Sequence, residues 1–268
     1  MNDNISMIFC TCDSYNDTWH PFFTLLEKYW PDYNIPIFFN SESKSFSFNN
    51  LTINCPLAKQ QNNKNISWSK RLLKVLKHID SEFVLLMLDD FWLTDFVDVE
   101  QFNYCLDIMK HNNKIGFICL AADKNDNMLN DGTESITLCE YTGLYEASTK
   151  CSYRVTTQVG IWRTKYLKKL LKGYEDAWHF EYWASRRSKF FSYRCLDVIN
   201  PVIKYPFGGI VWGGKLKEDY FNLYPLELLH ASMKKRPVLK IGEKYQPIFL
   251  SRPLWQKICS TFPSIRFN

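Results

Sequence analysis

The clearest chemistry in this chain is a pair of adjacent carboxylates, Asp89 and Asp90, which closes the uncharged run Phe83-Val84-Leu85-Leu86-Met87-Leu88. A short apolar run of this kind predicts a strand buried on both faces. Burying one carboxylate without a partner is costly, and burying two neighbours is worse. The pair therefore belongs at the strand's carboxyl end, in the crevice where open α/β sheets bind ligands. Two oxygen ligands there suit a divalent cation, Mg²⁺ or Mn²⁺, that also holds phosphates. The plainer alternative has Asp89 capping a turn and Asp90 in solvent.

Other residues invite similar scrutiny. Glu181 stands within Trp178-His179-Phe180-Glu181-Tyr182-Trp183. An apolar surround raises a carboxylate's pKa toward working pH, which suits a base acting on a hydroxyl. An ordinary surface carboxylate paired with Arg186 or Lys189 is the other reading, and His179 is a rival base. Arg154 and Gln158, four apart on one face of a strand, reach either a diphosphate and sugar hydroxyls or each other's strand neighbours. Arg186 and Arg187 neutralise phosphate or end a solvated helix. His20 packs within the first helix. Gly208-Gly209 and Gly213-Gly214 bracket Trp212, as a flap over a ligand or as a plain irregular crossing.

The elements that must position these residues alternate along the chain. Ser6–Thr11 reads as a first buried strand, followed by the polar cluster 12–17 and a helix with Pro21 in its first turn and Pro31 beyond its end. Ile35–Asn40 and a short piece near Leu51–Asn54 read as strands, and Lys59–Asn65 as a polar loop. Ser67 caps a helix whose buried face holds Trp68, Leu72, Leu73, Leu76 and Ile79, with Lys70, Arg71, Lys74 and Lys77 off that face. Asp98 opens another helix with Gln101 at the capping-box position, and Ile115–Leu120 is a further buried strand. Asp123–Glu134 is a polar loop. A hairpin spans Ile136–Glu140 and Leu144–Ala147, a strand Arg154–Trp162, a helix Thr164–Leu171, a helix from Asp176, and a late strand Phe190–Val198. From Pro206 the pattern is irregular. The expectation is an α/β mixed sheet flanked by helices over residues 1–205, with a small C-terminal extension, 206–268, packed on it.

Composition narrows the class. The chain has 268 residues and is 46% hydrophobic, enough for one large core. A formal net charge of +5 fits a phosphate-bearing ligand better than nucleic acid. The nine cysteines are odd in number and show no C-x-x-C pair, which reads as buried thiols in a reducing compartment. With no evident signal peptide or membrane span, a cytoplasmic protein is expected. The segment 252–259 mixes basic and apolar residues and either packs on the body or makes a peripheral membrane contact.

G-x-G-x-x-G, G-x-x-x-x-G-K-[ST], G-x-S-x-G and H-E-x-x-H are all absent, against dinucleotide oxidoreductases, P-loop enzymes, serine hydrolases and zincins. Three segments carry a positive likeness. They are Thr11-Cys12-Asp13-Ser14-Tyr15-Asn16-Asp17-Thr18-Trp19 leading to Tyr29-Trp30-Pro31-Asp32, then Trp68-Ser69 with Leu85–Leu93, then Tyr153–Arg163 with Trp178–Glu181 and Ser185–Ser188. Together they resemble the bacterial GT-A-fold glycosyltransferases of capsule and lipopolysaccharide assembly. The resemblance implies a Rossmann-like, GT-A-like fold and a nucleotide-sugar donor, with an oligosaccharide or lipid-linked acceptor. It implies base and ribose contacts at Thr11, Asp13 and Tyr15, and with Asp89 the residues read above as reaching a donor are Arg154, Gln158 and Arg186. It makes Asp89 and Asp90 the metal ligands, although the family's acidic motif is usually D-x-D and here has no spacer. Glu181 matches the acceptor-side base, with Asp90 the other residue expected to be essential for transfer. A nucleotidyltransferase acting on sugar phosphates is the rival enzyme, but segment 12–17 lacks the glycines and basic residues its triphosphate loop needs. A non-enzymatic carbohydrate-binding module is the third reading, and has no use for a buried strand ending in two aspartates.

Overall fold

The computed structural model describes residues 4–58, 63, 65–121, 136–151 and 153–243. The polar loop expected over 123–134, the segment 252–259 and most of the loop 59–65 lie outside the described residues. A nine-stranded mixed sheet runs through the molecule in the order β3-β2-β1-β4-β8-β5-β9-β7-β6. Its strands are β1 (Ile5–Cys10), β2 (Ile37–Asn40), β3 (Ile53–Asn54), β4 (Phe83–Leu88), β5 (Ile115–Cys119), β6 (Ile136–Leu138), β7 (Leu144–Ala147), β8 (Gly160–Arg163) and β9 (Arg194–Val198). β1 and β5 are buried along their whole length and β4 over all but Leu88, as the apolar runs predict. The mixed α/β sheet flanked by helices is thus the observed fold.

Helices cover both faces. α1 (Asn16–Tyr29) and α3 (Val99–His111) pack on one side with Phe9, Leu85, Met87 and Ile118. α2 (Trp68–Val75), α4 (Thr164–Leu170) and α5 (Ala177–Arg187) pack on the other with Ile8, Val84, Leu86 and Trp162. The capping residues act as read: Ser67 accepts from the Lys70 N–H, Asp98 from Gln101 and Asp176 from His179.

Three expectations need correction. The strand expected over Arg154–Trp162 forms only from Gly160, so Arg154 and Gln158 do not share a strand face. The late strand starts at Arg194, because 188–190 form a helical turn. Pro21 is not in the first turn of α1 but inside the helix. Lacking an N–H, it leaves the Asp17 carbonyl without its usual partner. Ser232 Oγ donates to that carbonyl at 3.2 Å from the chain's far end.

That far end forms a second, three-stranded sheet, β10 (Val211–Trp212), β11 (Lys215–Lys217) and β12 (Val238–Leu239), with α6 (Leu226–Met233) between its last strands. It packs against α1 and against the segment after β4. Tyr224 Oη donates to the Trp92 carbonyl at 2.7 Å, and Tyr205 stacks on Phe91 with ring centres 4.2 Å apart.

Candidate active site

β1 and β4 lie side by side and parallel, with Cys10 opposite Leu88. From β1 the chain passes to β2 on one side, while β4 takes the other. The strand order therefore reverses between β1 and β4, and the crevice outside their carboxyl ends is where open α/β sheets bind ligands. The residues next along the two chains are Thr11 to Tyr15 and Asp89-Asp90.

Asp89 is buried, and its backbone N–H donates to the Cys10 carbonyl at 3.1 Å. The Thr11 hydroxyl donates to Asp89 Oδ2, and Trp19 Nε1 donates to the Thr11 oxygen at 2.6 Å. Burial pushes the Asp89 carboxyl well above the usual carboxylate range, and the Asp90 charge adds to it, against the Thr11 hydrogen bond. Asp90 is raised to about 7, chiefly by desolvation, with Lys217 and Arg236 opposing. Its carbonyl accepts from the Ile210 N–H at 2.8 Å. Gly209, at φ +77°, lies so close that a Cβ there would stand 2.2 Å from Asp90 Oδ2. Only glycine fits that approach.

The other expected donor residues are held in specific ways. Asp13 accepts from the backbone N–H groups of Glu42, Ser43 and Lys44 and from the Ser43 hydroxyl. Desolvation raises its pKa, but these hydrogen bonds win and the net direction is downward. Tyr15 lies under the Arg236 guanidinium at 4.0 Å, and its phenol is raised to about 12, first by burial and then by Asp89. Arg154 is buried with its guanidinium turned to the carbonyls of Ala147, Ser188 and Tyr193 at 2.7–3.2 Å. The Gln158 side chain accepts from Tyr205 Oη at 2.7 Å, and Arg186 lies 3.5 Å over the Tyr182 ring. The structure thus brings Thr11, Tyr15, Asp89 and Asp90 together and directs Arg154 away into backbone contacts.

Glu181 reaches the same sheet edge from α5. Its Oε1 accepts from the Thr157 N–H at 2.6 Å and the Thr157 hydroxyl at 2.8 Å. Thr157 precedes β8, whose first residue, Gly160, pairs with Leu86. β8 runs antiparallel to β4, so the segment before Gly160, with Thr157, lies toward the carboxyl end of β4. Burial raises the Glu181 pKa, against the threonine hydrogen bonds. The aromatic neighbours do not enclose it as the sequence suggests, because Trp178 is 74% exposed and Tyr182 46%. Among the described residues, no arginine or lysine is hydrogen-bonded to it. His179 instead pairs with Asp176 at 2.7 Å, and His20 is exposed, its ring edge-on to Phe48.

Three supporting residues escaped the sequence. Arg71, read as lying off the buried face of its helix, is buried and donates to the Thr11 carbonyl and to Glu42 Oε1, each at 3.1 Å. Lys217 faces Asp90, donates to the Phe207 carbonyl at 2.7 Å, and is lowered to about 8 by burial. Arg236 grips Asp17 with two hydrogen bonds of 2.6 and 2.7 Å and also donates to the Ser14 carbonyl. The only available signal for the last two was the glycine pairs, which mark turns but not what the turns carry.

No family model and no curated protein matches the chain. Among solved structures, it is similar to a crystal structure of Staphylococcus aureus TarS residues 1–349, at 13% identity and TM-score 0.49 over 75% of this chain and 59% of that one. It is similar to a cytidylyltransferase of Leptospira borgpetersenii at 10% identity and TM-score 0.44, over 91% and 99%. It is similar to the galactosyltransferase LgtC in complex with donor and acceptor sugar analogues at 11% identity and TM-score 0.38, over 97% and 94%. The alignment with TarS takes in less than two thirds of that chain. These are likenesses of architecture, and the function proposed next rests on the site itself.

Proposed function

We propose that this chain is a cytoplasmic nucleotide-sugar-dependent glycosyltransferase, acting on a hydroxyl of a surface polysaccharide or lipid-linked oligosaccharide. One observation carries the reading. Two carboxylates stand at the crevice between β1 and β4, both raised in pKa, and a third raised carboxylate, Glu181, stands at the same sheet edge. Carboxylates whose pKa values are pushed away from solution values mark candidate sites when they line a cleft.

The donor set also fits a cation. Among the described residues no group of three or more His, Cys, Asp and Glu is placed to hold a metal. Two carboxylates are nonetheless what Mg²⁺ or Mn²⁺ commonly takes from a protein when phosphates and water complete its shell. Bound by Asp89 and Asp90, such an ion would neutralise the charge of a departing diphosphate. Lys217 and Arg236 add positive charge around the same crevice. Thr11 fixes Asp89, and Tyr15 beside it offers a ring for the donor. In the transfer, the acceptor oxygen bonds to the anomeric carbon as the bond to the diphosphate breaks. Glu181 takes the acceptor proton, and its raised affinity for that proton suits the role. Configuration inverts, because a single displacement from the far side leads to product.

The test is a thermal-shift screen of nucleoside diphosphates and nucleotide sugars with and without Mn²⁺, followed by transfer assays on the ligand that binds. One nucleotide sugar should stabilise the protein in a Mn²⁺-dependent way and release its nucleoside diphosphate when an acceptor is present. Release of pyrophosphate from a nucleoside triphosphate and a sugar phosphate would instead establish a nucleotidyltransferase. Binding of free oligosaccharide with no nucleotide response would reduce the chain to a carbohydrate-binding module.

A further inference from the structure

The sheet face covered by α2, α4 and α5 carries positive charge that the candidate site does not use. Lys70, Lys74 and Lys77 follow one another along α2 and the turn after it, at spacings that put them on one stripe. With Leu73, Lys168 and Gly173 they line an open groove of about 630 Å³. α4 and the turn beyond it add Lys165, Lys169 and Lys172, all exposed. Among the described residues, none of these seven lysines forms an ion pair with a carboxylate. Lys74 donates to Asn63 Oδ1, and Lys169 lies over the rings of Phe191 and Tyr193.

Two exposed aromatic residues follow Gly173, a lining residue of this groove, along the chain. The turn 173–175 is fastened to the start of α2, with Ser67 Oγ donating to the Gly173 carbonyl at 2.8 Å and the Ser69 N–H to Glu175 at 3.0 Å. That turn presents Tyr174, 65% exposed, and Trp178 follows on the first turn of α5 at 74%. The cations are all lysines, without the arginine forks that favour nucleic acid or phosphopeptide. Long alkyl stems carrying an ammonium, beside exposed Trp and Tyr, match the boundary between lipid headgroups and acyl chains. Lysines in this number complement an anionic leaflet.

We propose that this face docks the protein on an anionic lipid bilayer. The inference stands on the lysine groove and the two exposed aromatic residues, independently of the enzymatic reading. α5 carries exposed Trp178 and, one turn on, buried Glu181, so docking here would set the candidate site beside the lipid surface.

The test is co-sedimentation of the full chain with phosphatidylcholine vesicles, with or without about 30 mol % phosphatidylglycerol. The protein should partition onto the charged vesicles only and be released by raised salt. Replacing three lysines together, K74A/K77A/K168A, should lower partitioning by about 100-fold. Trp178→Ala, which leaves the charge unchanged, should lower it about threefold or more while the melting temperature stays put. Equal partitioning onto neutral and charged vesicles overturns the proposal. So does a triple-lysine variant that binds like the wild type, since the contact would then lie elsewhere in the chain. Heparin binding as tight as vesicle binding, with Trp178→Ala without effect, would mark a general polyanion surface and also overturn it.

Discussion

Replacing Asp90 by asparagine should make the protein more stable and leave it unable to use metal. The change keeps shape and removes a charge. In the folded state burial raises the Asp90 pKa from 3.8 to about 7. The folded state therefore holds the Asp90 proton more tightly than the unfolded chain does. The stability this contributes is full below pH ~4 and is lost as pH rises toward ~7. At about 1.36 kcal/mol per tenfold change, the ceiling of that loss is ~4 kcal/mol. Asp90 keeps some contact with water, and screening reduces the expected loss to roughly 2 kcal/mol. Asp90→Asn does not titrate, so it should match the wild type at pH 4 and exceed it by roughly 2 kcal/mol at pH 8. Urea unfolding at the two pH values measures this, with the slope against denaturant unchanged. Mn²⁺ with a nucleoside diphosphate should raise the melting temperature of the wild type and not of Asp90→Asn. A variant no more stable than wild type at pH 8 would refute the reasoning, because Asp90 would then be well satisfied as an anion by Lys217 and Arg236.

Glu181→Gln should lower kcat by ~10²–10⁴ with donor binding little changed. The wild-type rate should rise with pH along a limb above the ordinary carboxylate range, since burial raises this group, and a pH profile of Glu181→Gln that kept this limb would remove Glu181 as the base. Gly209→Ala forces a Cβ to within 2.2 Å of Asp90 Oδ2 at a positive φ, and chemical denaturation should show a loss of ~2–4 kcal/mol; a loss under ~0.5 kcal/mol would mean the turn moves freely away from Asp90. Arg236→Ala removes two hydrogen bonds from Asp17 and leaves it only the Lys235 ammonium at 3.2 Å, and the amides of α6 should exchange with solvent as if destabilised by ~1–3 kcal/mol; unchanged exchange would show that α6 is held by its apolar contacts alone.

The sheet was largely legible because its central strands are buried on both faces and therefore read as unbroken apolar runs. β1, β4 and β5 lie within a residue of where such runs place them. Helix starts were legible where one side chain decides them, as at Ser67, Asp98 and Asp176. β8 was not, because the alternation that suggests a strand from Arg154 also suits an irregular chain whose buried arginine grips three carbonyls. The Asp-Asp pair was readable from its abrupt position after an apolar run. What Thr11 does was not, since its bond to Asp89 joins residues 78 positions apart. Arg71 misled because its charge suggested a solvated position, although its spacing from Trp68 and Val75 puts it beside the buried stripe. Lys217 and Arg236 sit on short elements without periodicity, and only the packing of that segment on α1 gives them a place.

Every strand of the large sheet is complete by Val198, yet the crevice it opens is finished by residues between Gly209 and Arg236. A chain still emerging from the ribosome can thus build its nine-stranded core while the Asp-Asp crevice stands without its cover of Gly209, Lys217 and Arg236. Domains tend to fold as units during synthesis, and here the later segment reaches back to α1, tying Ser232 to the carbonyl that Pro21 leaves free. The cover of the crevice would then form only once the residues up to Arg236 have been made. A nascent or clipped molecule ending near residue 200 would keep most of its core and hold its two aspartates open to water.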